Sequence, residues 1–281
     1  MKILVTGTNG QVGHALMREL TEHELIGLTR QDCDLTNLDQ IKQVIDQHQP
    51  NLIINPAAYT KVDQAEDEPE LAFQINRDAP RVMAEKAREY NIPIIHFSTD
   101  YVFDGKKEEP YTEEDLPNPL SVYGQSKCAG EEEIKKVGCQ FYIIRTSWVY
   151  SNVGHNFYLT IKGKLEDNKP LKVVNDQVGI PTSNLFIAYQ IKKMITKLSM
   201  SNKGIYHLVP SGSCSWFDFA KFILKVGEYP HYKHNIDSIY SDEFPTRARR
   251  PHNSYLLNDT SRNTFMLELD DWQSVFLNFL K

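Results

Sequence analysis

Lys2-Ile3-Leu4-Val5-Thr6-Gly7-Thr8-Asn9-Gly10-Gln11-Val12-Gly13 is the stretch whose reading decides the fold. Lys2 to Val5 is a short apolar run of strand formers, and the glycine-rich turn after it gives way to Ala15, Leu16 and Leu20 at helical spacing. Strand, glycine turn and helix in that order let the backbone approach a pyrophosphate at the positive end of a helix. Gly7, Asn9, Gly10, Gln11, Val12 and Gly13 are therefore candidate cofactor-binding residues. The glycines are spaced GxxGxxG, not GxGxxG as in the commonest dinucleotide fingerprint, so a tight connection without a ligand is the competing reading.

Moving outward, Glu24 to Leu28 reads as a second strand ending at Thr29-Arg30. The acidic residue that would take a ribose 2′-hydroxyl is missing there, and Arg30 suits a 2′-phosphate, which favours NADP(H). Asp32 and Asp34 leave NAD(H) open, as does a purely surface role for Arg30. Asn37 to His48 is an amphipathic helix, and Asn51 to Asn55 a buried third strand followed by Pro56-Ala57-Ala58-Tyr59-Thr60. Small residues at a strand end suit a flat ligand, although a packed turn would use them equally well. Val62 to Tyr90 is largely helical. Ile92 to Phe97 is the next strand, and it delivers Ser98-Thr99-Asp100 to the carboxyl edge where open α/β sheets bind ligands. A helix beginning near Ser121 and a strand over Gln140 to Ile144 complete an alternation that predicts an α/β protein with a Rossmann-like, doubly wound parallel sheet.

After Tyr150 the pattern loosens. Helices are expected over Asn156 to Leu165, Asn184 to Leu198, Trp216 to Val226 and Asp270 to Leu280, with strands at Leu171 to Val174 and Gly204 to Val209. The expected division is a nucleotide-binding domain over 1–150, to which segments around 171–200 return, and a smaller C-terminal substrate-binding domain built mainly from 151–281.

Tyr123 and Lys127 stand four residues apart in Tyr123-Gly124-Gln125-Ser126-Lys127, hence on one helical face. A nearby ammonium lowers a phenol pKa, and bringing tyrosine to neutrality takes about 3 units, roughly 4 kcal/mol. One lysine supplies part of that and a cationic cofactor ring more. The spacing alone decides nothing, because Tyr158/Lys162, Tyr189/Lys193 and Tyr229/Lys233 share it; those three read as helix surface or turn. Only Tyr123/Lys127 follows a hydroxyl at a strand end, so Thr99 (or Ser98), Tyr123 and Lys127 form a candidate proton-transfer set.

Composition limits the remaining classes. The 281 residues are 41% hydrophobic and 24% charged, an ordinary globular balance. A net charge of −6 gives no general attraction to nucleic acid or anionic membrane. Cys33, Cys128, Cys139 and Cys214 lack metal-site or redox spacing, no metal is expected, and no apolar run approaches the ~20 residues of a membrane span. With no signal-like segment, the cytoplasm is the expected compartment.

The motifs resemble the extended short-chain dehydrogenase/reductase superfamily and, within it, the dTDP-4-dehydrorhamnose reductases. The resemblance spans nearly the whole chain: Gly7 to Gly13, Asn55 to Glu66, Ser98 to Gly105, Tyr123 to Lys127, Arg145 to Tyr150, Asp176 to Thr182 and Arg250 to Leu256, in family order. It implies NADPH-dependent reduction of the C4 ketone of a dTDP-4-keto-6-deoxy sugar, dTDP-4-dehydro-L-rhamnose. Tyr123 would be the proton donor, Lys127 would bind the nicotinamide ribose, and Thr99 would hydrogen-bond the reacting oxygen. The same resemblance places Asp100 and Trp148 on the sugar, Ala57, Ala58, Tyr59, Thr60 and Phe97 in the cofactor cleft, and Asp34-Leu35 beside the adenine. The residues by themselves also allow Trp148 to be core packing and Asp100 a turn or cap residue.

Arg247, Arg249 and Arg250 are a basic cluster in an acidic chain; Arg250 is expected to hold the diphosphate, with an ion-paired surface cluster as the alternative. The first helix reads His14-Ala15-Leu16-Met17-Arg18 where some relatives carry acidic metal ligands, so a monomer or weak homodimer without metal is expected. Related epimerases and dehydratases, and a catalytically silent cofactor-binding subunit, are the rival functions. The dehydratase Asp-Glu pair is absent, since Asp100 is followed by Tyr101.

Overall fold

A computed structural model describes residues 1–281. In chain order the first half runs β1 (Lys2–Thr6), α1 (Gln11–Glu19), β2 (Glu24–Leu28), α2 (Leu38–His48), β3 (Leu52–Asn55), α3 (Val62–Ala65), α4 (Pro69–Phe73), a π-helical turn (Gln74–Asp78), α5 (Ala79–Glu89), β4 (Ile94–Thr99), α6 (Val122–Val137) and β5 (Phe141–Thr146). The second half runs β6 (Val149–Tyr150), α7 (Phe157–Glu166), β7 (Leu171–Val174), β8 (Val178–Gly179), β9 (Thr182–Ser183), α8 (Asn184–Ile195), β10 (Gly204–His207), β11 (Cys214–Ser215), α9 (Trp216–Val226), β12 (Ile236–Ile239), α10 (Asp259–Phe265) and α11 (Trp272–Phe279).

Six strands form one parallel sheet in the order β10-β5-β4-β3-β1-β2. Chain order reverses between β1 and β3, and the crevice outside their carboxyl ends is where such a sheet takes ligands. Strands buried on both faces explain the continuous apolar runs: every residue of β3 and β4 is buried. One apolar cluster covers the face under α1 and α8, including Leu16, Ile54 and Ile187; another covers the opposite face under α2 and α5, including Ile41, Ile53 and Met83. A third, around Tyr150, Tyr158, Phe219 and Phe276, is the core of the lobe beside the carboxyl edge.

One expectation is refined and one changes. The span Val62 to Tyr90 is largely helical as expected, divided into three helices and a π turn, because Pro69 starts α4 and the chain loosens at Asn76. The amide of Asn76 bonds both Tyr59 backbone groups and Ser126 Oγ. The segments around 171–200 also divide. Leu171 to Val174 pairs with β12, away from the large sheet, its alternating burial marking a strand with one covered face, whereas α8 packs on α1 and β10 extends the sheet. All four cysteines are free, and no helix is long and apolar enough to cross a membrane.

Candidate active site

The glycine turn is built for close approach. Gly7 has φ +59°, and a Cβ there would lie 2.9 Å from the Ala57 methyl; one on Gly13 would lie 2.3 Å from Gly7 O. With Gly10 at its N-cap, α1 has no side-chain cap, while α2, α6, α8 and α9 are each capped by Asn37, Ser121, Ser183 or Ser215. The first N–H groups of α1 are thus left for an outside acceptor at the positive helix end. Asn9 and Gly10 are exposed and Val12 packs onto the core. Gln11 ties the turn to the second lobe: its Oε1 accepts from Ser151 Oγ (2.8 Å) and Asn156 Nδ2 (2.9 Å).

On the adenine side, Arg30 is well exposed and meets Asp34 only at 3.9 Å. Asp34 Oδ1 accepts from the Thr36 N–H and hydroxyl, which with Arg30 hold its carboxyl below the usual range, while Leu35 is buried. After β3, Ala57 and Ala58 are half-buried and Thr60 is exposed. The Tyr59 hydroxyl donates to Glu68 (2.7 Å) within a satellite cluster, and the Phe97 ring packs in the core under α1. Burial drives the Tyr59 phenol up to about 12.

At the end of β4 the two hydroxyls separate in role. Ser98 Oγ donates to Glu131 Oε1 (2.5 Å), and Glu131 is held by Arg145 through both carboxylate oxygens (3.0 and 2.6 Å), all fully or nearly fully buried. Thr99 instead faces Asp100, donating to its Oδ1 (3.0 Å), and accepts the Tyr101 N–H. Asp100 is 2% exposed and its Oδ2 has no partner. Burial drives its pKa up to about 6, opposed by the Ser254 and Thr99 hydroxyls. Its Oδ2 is therefore a buried acceptor at the strand end.

Helix α6 presents Tyr123 and Lys127 beside this strand end. Ser121 Oγ caps the Gly124 N–H (3.2 Å), and Gly138 at φ +74° ends the helix. A Cβ on Gly124 would lie 2.2 Å from Tyr101 O, so only glycine lets this turn reach the residues after β4. Tyr123 meets the ring of Tyr101 edge-on at 5.6 Å.

The electrostatics correct the expectation for Tyr123. Burial drives its phenol up to about 12, with Thr99 pulling down and Asp100 pushing up, and no charge from Lys127 contributes. The Nζ of Lys127 is turned into the sheet instead, donating to Phe97 O (2.5 Å) and lying 3.2 Å from His96 Nε2. Burial lowers Lys127 to about 8 against the opposing charge of Glu131. His96, read from sequence only as a strand residue, is the buried neighbour of Lys127 that pattern reasoning missed; its signal was a lone histidine between apolar neighbours.

The other Tyr/Lys pairs lie elsewhere. Tyr158 corrects the surface expectation, since it is buried against Phe276 in the second lobe's core. Tyr189/Lys193 is on the outer face of α8, and Tyr229/Lys233 follows α9.

Trp148 is half-buried in the left-handed region, φ +46°, with its ring stacked on Trp216 at 3.4 Å and 8°. Gly179 makes room for it, since a Cβ there would lie 2.3 Å from the indole. Arg250 Nη2 donates to Asp63 Oδ2 (2.7 Å), Ala248 N to Asp63 Oδ1 (3.0 Å), and Arg247 pairs with Asp67. The basic cluster is thus largely ion-paired across the two lobes. Arg250 Nε is buried without a partner, and Arg249 and Arg250 line a cleft of about 250 Å³ with Gln177 and Ser241.

A parallel sheet whose fourth strand is followed by a helix carrying Tyr123 and Lys127 defines the extended short-chain dehydrogenase/reductase class of oxidoreductases. The family described as RmlD substrate binding domain matches residues 1–281, and the chain belongs to this dTDP-4-dehydrorhamnose reductase family. A dTDP-4-dehydrorhamnose reductase of Sinorhizobium fredii is 41% identical over 279 residues, covering 97% of this chain and 94% of that protein. One of Escherichia coli K12 is 37% identical over 285 residues, covering 97% and 95%. The crystal structure of dTDP-4-dehydrorhamnose reductase from Bacillus anthracis in complex with NADP is 36% identical, covers 99% of this chain and 98% of that one, and superposes with a TM-score of 0.93.

Proposed function

We propose that the protein reduces the C4 ketone of dTDP-4-dehydro-L-rhamnose to dTDP-L-rhamnose with NADPH, and that Tyr123 is the proton donor. The observation that carries this reading is the grouping of Thr99, Asp100, Tyr123 and Lys127 at the carboxyl edge of β4, alongside the uncapped start of α1. The uncapped N–H groups, Gly7 against Ala57 and exposed Arg30 fit a dinucleotide with a 2′-phosphate, and the NADP named for the Bacillus anthracis relative agrees. When bound, NADPH supplies the hydride that C4 receives.

The chain's own residues do the rest. Tyr123, whose burial keeps it protonated at neutral pH, gives its proton to the C4 oxygen as negative charge develops there. Thr99 steadies the same oxygen by hydrogen bonding. Asp100, with one oxygen free, takes a sugar hydroxyl, and Trp148 forms a wall for the ring. Lys127 holds the nicotinamide ribose and returns positive charge to the site. Arg250 offers its unpartnered Nε to a diphosphate oxygen while Asp63 orients it. Residues 1–150, with α8 and β10, hold the cofactor, and most of 151–281 holds the sugar nucleotide.

Tyr101 stands edge-on to Tyr123 where a dehydratase needs its second carboxylate, which favours simple reduction. The test is to supply dTDP-4-dehydro-L-rhamnose and NADPH and identify the product by mass. A product two hydrogens heavier, with one NADPH consumed per turnover, is expected. An isomer formed without net cofactor consumption, or cofactor binding without turnover, would reject the assignment.

A further inference from the structure

A line of buried polar side chains continues inward from Lys127 across three strands that are neighbours in the sheet. Lys127 Nζ lies 3.2 Å from His96 Nε2 on β4, His96 Nδ1 lies 3.0 Å from Asn55 Nδ2 on β3, and Asn55 Oδ1 accepts from Thr6 Oγ1 on β1 at 2.6 Å. Asn55 and His96 are register partners with no exposed surface, and Thr6 and Lys127 are each 2% exposed. Thr6 immediately precedes the glycine turn.

The chemistry of these groups permits two consistent arrangements. A neutral imidazole carries one N–H and one lone pair, an ammonium only donates, and an amide has one donor and one acceptor end. If Lys127 is charged, it donates to Nε2, so the His96 proton sits on Nδ1 and Asn55 must present its carbonyl. If Lys127 is neutral, it can accept from Nε2–H, so Nδ1 becomes an acceptor and Asn55 presents its NH₂, the orientation seen here with the Thr6 hydroxyl donating to the carbonyl. With the ammonium, an Nε2–H facing Nζ or an Asn55 NH₂ facing Nδ1–H sets two donors face to face in a dry interior, which is costly, and a neutral amine that donated to Nε2 would leave its own lone pair without a partner.

We propose that His96, Asn55 and Thr6 form a two-state relay coupled to the charge of Lys127, with His96 exchanging tautomer and Asn55 turning its amide as the lysine titrates. In the exchange Lys127 releases one proton to solvent, and His96 keeps one proton throughout, on Nδ1 before and on Nε2 after. His96 is then a positioning residue that gives Lys127 a matched partner in both charge states. Its own ionisation does not compete, because burial and then the Lys127 charge hold it well below its ordinary value.

The other charged groups around Lys127 are engaged. Glu131, one turn along α6, favours the ammonium but is shared with Arg145 of β5 and Ser98. On the helices and turn packed against α6, Glu66 accepts the Val122 N–H, Glu68 the Tyr59 hydroxyl, and Arg77 is paired with Asp78. Tyr123 and Asp100 complete the set on the open side.

The inference builds on the role proposed for Lys127, and its test has one arm that is independent of that role. Nitrogen NMR of histidine-labelled protein, with His96→Gln identifying the His96 signals, reads the tautomer across pH in wild type and Lys127→Met. The wild-type ring should change from the Nδ1–H to the Nε2–H form as pH rises through the Lys127 titration, and Lys127→Met should hold one form throughout. In the second arm, the alkaline limb of kcat/KM for NADPH oxidation should move down by about one pH unit in His96→Leu, because the charge-assisted bond lost from the ammonium is stronger than the one lost from the neutral amine. His96→Gln, whose amide reaches the same lysine, should restore it. One tautomer on both sides of the wild-type titration, or an unmoved limb in His96→Leu, overturns the proposal. Absence of any turnover rejects the reductase assignment and leaves the NMR arm standing.

Discussion

Gly124 lies so close to Tyr101 that a Cβ built on it would sit 2.2 Å from the Tyr101 carbonyl oxygen. That contact fixes the first turn of α6, and so Tyr123, against the residues that follow β4. Gly124→Ala must push the two segments apart. Overpacking of this kind costs about 1–3 kcal/mol, and a misplacement near 1 Å costs roughly 10²-fold in rate. The expected outcome is a lower Tm together with a fall in kcat much larger than any change in NADPH affinity, read by thermal melts and steady-state kinetics.

Asp100 gives a pH signature. Its folded pKa of about 6 lies above the unfolded value near 3.9, so its contribution to stability is fully present below the unfolded value and is lost as pH rises through the folded one. Asp100→Asn removes that dependence. The stability of the variant relative to wild type should therefore move in the variant's favour, by about 3 kcal/mol, between about pH 4 and pH 7. Denaturant melts of both proteins across that range check it, and the variant should also bind the sugar nucleotide more weakly.

Arg30 is exposed and only loosely tied to Asp34, so nothing else in the fold depends on it. Arg30→Ala should leave the unfolding free energy within about 0.5 kcal/mol of wild type. The ratio of kcat/KM for NADPH over NADH should fall by about tenfold or more, as for loss of a charge-assisted phosphate contact. An unchanged ratio would remove Arg30 from the cofactor site.

Gly179 and Trp148 form a second close pair. Trp148 is held in a left-handed conformation that costs roughly 1–2 kcal/mol, and the stack on Trp216 and the space at Gly179 keep it there. Gly179→Ala should displace the indole, raising the KM for the sugar nucleotide and leaving the Kd for NADPH unchanged.

Much of the first half was legible because its signals are local. Lys2 to Gly13 carries strand, turn and helix within a dozen residues, and continuous apolar strands such as Leu52 to Asn55 need no partner to be recognised. The second lobe was harder: β8, β9 and β11 are two residues each and leave no periodicity to count. Long-range pairing was also invisible. Asp63 and Arg250 are 187 residues apart, so the cluster read as phosphate-binding arrived largely ion-paired. The direction of the Tyr123 shift was missed for a related reason. Spacing put Lys127 on the same helical face, but His96 and Phe97 O, from another strand, decide where its ammonium points.

The role of Tyr123 is tested most directly by Tyr123→Phe, which removes one oxygen and keeps the ring against Tyr101. NADPH oxidation on addition of dTDP-4-dehydro-L-rhamnose should fall by about 10²–10⁴-fold in kcat, with the Kd for NADPH held at the wild-type value. A variant that turns over at the wild-type rate would show that the proton comes from elsewhere.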